Sequence, residues 1–244
     1  MISFIKCDTS HLHLDMVSIE LAVKALKSAD AILIGASNGL SIAEGYNIFA
    51  DNDMFRSQFG DYKRMFGIRC LLEGFFFNYP TQTERQKFLN RAVKYWVTDY
   101  SPSEVMKDLL RIVGDKDYFV ATTNGDTHLE LSGFDSAKIF EIENTFERVA
   151  RGLPVDDKSR QLQEFLSRYS GKKIAILELG IGRNNRIIKP FLFQVAQSEP
   201  QSVLIALNMP HEISLPPQSA NTPIALAGDI AATFKHILKS YDEI

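Results

Sequence analysis

The chain has 244 residues and a formal net charge of -3, with 45% hydrophobic and 23% charged residues. That is the profile of a globular chain with room for a full core. The mild acidity argues against a surface that tracks a nucleic-acid backbone, and no apolar run approaches the roughly 18 residues of a membrane span. The two cysteines, Cys7 and Cys70, belong to no CxxC pair, which excludes a disulfide framework and a four-thiolate zinc site as expectations. Met1 to Cys7 lacks the apolar stretch of a secretory leader, so a metal-free cytoplasmic protein is expected.

In chain order, apolar residues at helical spacing (Met16, Ile19, Val23, Leu26) predict a helix over 14–29. An unbroken apolar run over 31–34 follows and ends at Gly35, as a strand buried on both faces of a parallel sheet would. Residues 45–100 hold no convincing strand but much aromatic weight, from Tyr46, Phe49 and Phe55 to Tyr95 and Trp96. They predict a helical insertion. Its run Phe75–Phe77 reads chiefly as core, with some aromatics free to line a cleft. Helical stretches at 103–112, 158–169, 187–197 and 228–239 alternate with strand-like runs at 118–122, 139–142, 174–177 and 203–207. This alternation predicts an α/β doubly wound parallel sheet. Four of the nine prolines fall within 209–223, a surface loop by composition.

Polar and small residues cluster where these strands end, and open α/β sheets bind ligands at the carboxyl ends of their strands. Gly35-Ala36-Ser37-Asn38-Gly39-Leu40-Ser41 follows the first strand. Small residues there would admit a phosphate to backbone N–H groups ahead of a helix, although strand-to-helix turns also need glycine for conformation alone. The GxGxxG spacing of a dehydrogenase is missing. Thr122-Thr123-Asn124-Gly125-Asp126 ends the next core strand and reads either as a ligand-facing polar set or as an Asn-Gly turn. Glu178-Leu179-Gly180-Ile181-Gly182-Arg183-Asn184 and Asn208 end two more.

In this order the motifs resemble those of the sirtuin family, whose pattern runs GAGxS, TQNxD, a His-Gly pair, GTS and an Asn at a strand end. The counterparts are Ser37 to Ser41, Thr122 to Asp126, Glu143-Asn144, Gly180 to Gly182 and Asn208, spread over about residues 20–240. The chain is most similar to the zinc-less, macrodomain-associated bacterial (class M) sirtuins. It shares with them Gly35-Ala36, Thr-Thr-Asn, Gly133 to Asp135, and Glu178 to Gly182 followed by Ile187-Ile188.

The resemblance implies a single domain over 1–244, in which 1–45 and 101–244 form a Rossmann-like lobe and 46–100 an inserted helical lobe without a zinc module. It implies NAD bound between the lobes. Gly35, Ala36, Ser37 and Gly39, with Gly180 and Gly182, would then cradle the phosphates. Asn124 and Asp126 would lie by the nicotinamide and its ribose, Asn208 by the adenosine ribose, and Gly228-Asp229 on the adenine side, with Leu40, Thr123 and Ile181 as further cofactor contacts. It further implies transfer of ADP-ribose to a protein acceptor, in that class often a lipoyl-carrying protein read with a macrodomain partner.

Departures from the pattern bear on the chemistry. Glu143 stands where the family has its catalytic His, and Asn144 where it has Gly; Tyr46 to Ala50 replaces an Arg-bearing segment. His128 falls one place before a His that often follows the NxD motif, and no role is carried onto it. Asn124, Asp126 and Glu143 are the expected catalytic residues. Glu143 would stabilise positive charge on the ribose or accept a proton, the latter needing partial burial to lift it above an ordinary carboxylate. The bland alternative pairs Glu143 with Arg148 or Arg183. Deacylation with Glu143 as base, or NAD or ADP-ribose binding without chemistry, are the competing functions.

Overall fold

The computed structural model describes residues 15–243; Met1 to Cys7 and Leu14 lie outside them. Helix α1 (Met16–Ser28) starts where the Asp15 side chain accepts the Ser18 N–H at 2.7 Å, an N-cap. Strand β1 (Ala31–Ala36) follows, then α2 (Asn38–Ala43), α3 (Asp53–Phe66), α4 (Leu71–Phe76) and α5 (Gln82–Val93). The last runs into a π-helical turn, Lys94–Thr98. Helix α6 (Glu104–Val113), β2 (Asp117–Thr122), α7 (His128–Leu131), β3 (Ile139–Glu141), α8 (Phe146–Ala150) and α9 (Ser159–Tyr169) come next. The chain closes with β4 (Ile174–Leu179), α10 (Ile188–Ser198), β5 (Val203–Asn208), β6 (Ile224–Ala227) and α11 (Ile230–Glu243).

The six strands form one sheet in the order β3-β2-β1-β4-β5-β6, and every adjacent pair is parallel. This is the doubly wound sheet that the alternating pattern predicts. Every residue of β1 and β4 is buried, because helices cover both faces. Helices α1, α6 and α11 bury one face through residues such as Leu26, Leu109 and Phe234. The other face lies under α9 and α10, with Phe165 and Leu192 among its core residues. Strand β6 escaped the sequence reading. Its four residues follow Pro223 directly and run into Gly228-Asp229, so they are framed as a continuation of the loop.

Helices α3 to α5 pack a third apolar cluster around Phe59 and Phe88, completed by Phe146 and Val149 from α8. The run 75–77 splits. Phe75 packs tilted against Phe146 and Phe77 edge-on to Tyr79, whereas Phe76 is 82% exposed and is one of the aromatics left to line a cleft.

Strand β4 carries one costly feature. Glu178 and Lys189 of α10 are both fully buried and form an ion pair, with the second Glu178 oxygen unpartnered. Burial holds the Glu178 carboxyl above its ordinary range, against the opposing pull of Lys189. Removing one partner strands the other charge in the core. Lys189→Met is therefore expected to cost about 3–5 kcal/mol of unfolding free energy. The double variant Glu178→Gln/Lys189→Met should recover most of it in urea melts.

Candidate functional site

In a parallel sheet of this order, the loops after β1 and β4 leave in opposite directions and open a crevice at their strand ends. Here the two loops touch by backbone. Ser37 N–H donates to Leu179 O at 3.1 Å and Gly39 N–H to Gly180 O at 3.0 Å. A Cβ on Gly39 would lie 2.5 Å from Gly180 Cα, and one on Gly180, which sits at φ +61°, would collide with Gly39. These two glycines therefore serve a close approach between loops, and the Gly39 N–H is spent on it.

Two cavities open from this crossing. The first, about 570 Å³, is lined by Ser37, Asn38, Gly39, Gly180, Gly182, Asn208, Gly228 and Asp229, together with Asn185, Met209, His211 and Glu212. The second, about 560 Å³, is lined by Thr123, Asn124, Gly125, Asp126, Glu143 and Asn144, with apolar walls from Ile48, Leu72, Phe75, Phe76, Phe146 and Val149. Asn38 and Phe49 border both. Four expected contacts are missing from these walls. Gly35 and Ala36 lie within β1, where a Cβ on Gly35 would strike Leu192, and Leu40 and Ile181 are fully buried in the core.

Asn208 sits on the first wall with its amide engaged. Its Nδ2 donates to Ile181 O at 3.0 Å and its Oδ1 accepts from Met209 N. Asp229 likewise caps α11, accepting from Ala232 N at 2.9 Å. In the second cavity the pivotal group is Asn124, 5% exposed. Its Nδ2 donates to Ser37 O (3.2 Å) and to Ser41 Oγ (3.0 Å), while its Oδ1 has no partner. The Ser37 carbonyl can only accept, which fixes the amide's orientation and leaves a buried acceptor oxygen open. Ser41 Oγ in turn donates to Asp126 at 2.5 Å.

Gly125 is not at a left-handed turn. A Cβ there would meet Asn144 O at 2.6 Å, so this glycine admits the strand-end turn that carries Glu143. Glu143 itself is exposed at the rim of the second cavity. Among the described residues it pairs with neither Arg148 nor Arg183, and the Arg148 guanidinium donates to Pro154 O instead. The burial that a base role calls for is therefore not present. Asn144 has φ +78°, the conformation for which the family's Gly is suited and which Asn tolerates better than other side chains. Beneath this turn Glu130 and Glu141 each bury an unpartnered oxygen. Burial and the facing Glu141 carboxyl push Glu130 well above its ordinary range.

Sequence reasoning missed Asn38, Asn185, Met209, His211 and Glu212 on the first wall, and Glu44 and His128 behind the second. Asn185 had a legible signal: its side chain accepts from Ile187 N and Ile188 N, a turn-forming polar residue just ahead of an apolar run. The others are gathered by loops from separate strands.

Two stability outcomes follow. Asn144→Val is expected to lose about 1–2 kcal/mol more than Asn144→Gly, the cost of a Cβ-branched residue in the left-handed region, read from paired denaturant melts. Glu130 keeps its proton in the folded state above the pH where the unfolded chain gives it up, near 4.5. Its contribution is thus complete below that pH and is lost as pH rises through the raised folded-state value. Glu130→Gln should match the wild type in acid and become the more stable protein towards neutral and alkaline pH; parallel curves across that range contradict it.

Comparison with known proteins agrees with this architecture. No family model matches the chain. A protein ADP-ribosyltransferase of Staphylococcus aureus strain Mu50 is 24% identical over 127 residues, 52% of this chain and 40% of that protein's length. A solved structure from work on the mechanism and regulation of Sir2 enzymes superposes with a TM-score of 0.53, at 10% identity, over 94% of this chain and 99% of its own. A second, from work on sirtuin substrate affinity, gives 0.55 at 13% identity over 89% and 96%. The six-stranded parallel sheet and its strand-end cleft thus have the fold of the sirtuins.

Proposed function

We propose that the chain is an NAD-dependent enzyme of sirtuin type that breaks the nicotinamide–ribose bond and transfers ADP-ribose to a protein acceptor. The observation that carries this reading is the unpartnered, buried Asn124 Oδ1 on the wall of the second cavity, which meets the first at Asn38 and Phe49. A buried acceptor without a donor is costly, and a ribose hydroxyl donating to it removes that cost. Ser37, Gly39, Gly180 and Gly182 would border the pyrophosphate, and Asn208, Gly228 and Asp229 the adenosine. The residues present fit the dinucleotide.

When bound, NAD supplies the glycosidic bond that breaks and the ADP-ribosyl group that moves. Asn124, tethered by Ser37 and Ser41, orients the ribose. Asp126, on the wall of the same cavity, would place a carboxylate near the positive charge that develops as the bond opens. Glu143, exposed at the rim, is suited to meet an incoming acceptor, whose proton is free to pass to solvent there. Its exposure favours transfer over deacylation with Glu143 as base. The name of the Staphylococcus aureus relative supports transfer to a protein. The apolar walls of the second cavity suit an aliphatic arm, so a lipoyl-carrying protein, presented with a macrodomain partner, is the acceptor to try first.

Nicotinamide release from NAD, followed with and without candidate acceptors, tests the proposal. Asn124→Ala should reduce kcat roughly hundred-fold or more, and mass spectrometry should find ADP-ribose added to the acceptor. Tight NAD binding without release by the wild type under any acceptor, or an acyl group removed from the acceptor, would overturn it.

A further inference from the structure

Behind the second cavity lies a buried histidine whose two ring nitrogens both face acceptors. His128 is fully buried. Its Nε2 lies 2.8 Å from Trp96 O, a carbonyl that can only accept. Its Nδ1 lies 3.0 Å from Glu44 Oε1 and 3.9 Å from Asp126 Oδ2. The other Glu44 oxygen is occupied by two donors, Tyr100 OH at 2.7 Å and Ser103 Oγ at 2.6 Å. Asp126 accepts from Ser41 Oγ and from the His128 backbone N–H. With Nε2–H committed to the carbonyl, a neutral ring would turn its Nδ1 lone pair onto a carboxylate oxygen. A second ring proton resolves this clash and sets one positive charge between two negative ones.

We propose that His128 is a positioning residue held as an imidazolium, which clamps Glu44 and Asp126 and, through Ser41, fixes the Asn124 amide. Its catalytic consequence rests on the NAD reading of the cleft; its proton and its hold on Asn124 do not. The groups facing the ring are Glu44 from the turn after α2, Asp126 from the loop after β2, and the carbonyl and ring of Trp96 from the π-helical turn. Tyr100 stacks on the imidazole at 3.8 Å between centroids and Tyr46 meets it edge-on at 4.6 Å. Burial holds both phenols above their ordinary range, so they stay neutral. For His128 itself burial pulls downward, but Asp126, Glu44 and the Trp96 carbonyl together raise it. The clamp is thus complete below the ordinary imidazole value of 6.5 and is released as pH climbs through the raised folded-state value.

Nitrogen-15 NMR of the free protein, with His128 assigned by its contacts to the Tyr100 ring, reads the proton directly. The expected titration midpoint lies above 6.5, it falls in Glu44→Gln, and the Asn124 side-chain amide signals shift with the same midpoint. A midpoint at or below 6.5, no change in Glu44→Gln, or Asn124 signals indifferent to the titration would overturn the proposal. In nicotinamide release, His128→Gln should lower kcat roughly hundred-fold through misplacement while KM for NAD changes little. Glu44→Gln should bring the alkaline limb of the kcat profile to lower pH. Wild-type kcat and pH profile in a folded His128→Gln protein would also sink the clamp, whereas failure of the wild type to bind NAD removes the cofactor reading and leaves the NMR result to decide the clamp.

Discussion

Where the loop after β1 crosses the loop after β4, two backbones meet with no side chain between them, Gly39 against Gly180. A methyl group on either residue would push the loops apart, and with them Ser37 on one side and Gly182 on the other. Ser37 in turn supplies the carbonyl that orients Asn124 and the hydroxyl that accepts from Thr123 at 2.9 Å. The glycine contact at the strand-order switch therefore sets the spacing of both cavities. The same steric constraint recurs where Gly125 lies beneath Asn144 O, so four strand-end loops are held in two pairs at backbone distance.

Around that contact the protein places charge in the interior, where it is expensive. Glu178 and Lys189 compensate one another within the sheet's covering layer. Glu130 faces Glu141 under the rim turn, and Glu44, Asp126 and His128 share the space behind the second cavity. The latter two groups lie at the carboxyl ends of β2 and β3, on the side of the sheet that opens to the cleft. Such arrangements lower stability unless each member is satisfied, and they cluster beside a wall with a free acceptor oxygen. Stability has been yielded where a ligand would meet the protein.

The sheet was largely legible because buried parallel strands write themselves as unbroken apolar runs, and the strand-end motifs stand directly after those runs. Strand β6 was not, since Pro223 and Gly228 frame it as a loop. The walls of the cleft were legible only where a motif residue also faces the space. Ser37, Asn124 and Asp126 do, while Gly35 and Ala36 belong to the same motifs and lie inside the sheet. His128 and Glu44 were opaque for a different reason. They sit 84 residues apart, and their meeting depends on how α2, the loop after β2 and the aromatic helices pack together.

The π-helical turn at Lys94–Thr98 acquires a meaning from this packing. In an α-helix the Trp96 carbonyl would accept from Tyr100 N–H, but that donor bonds Val97 O, and the Trp96 carbonyl reaches the His128 ring. One surplus residue in a helical turn has thus converted an internal backbone bond into a tie between the aromatic cluster and the loop after β2. The length of the chain between Tyr95 and Tyr100 is therefore under tighter control than its composition. Deletion of a single residue there would restore helical register and detach two parts of the molecule, although every side chain that contacts the cleft remained in place.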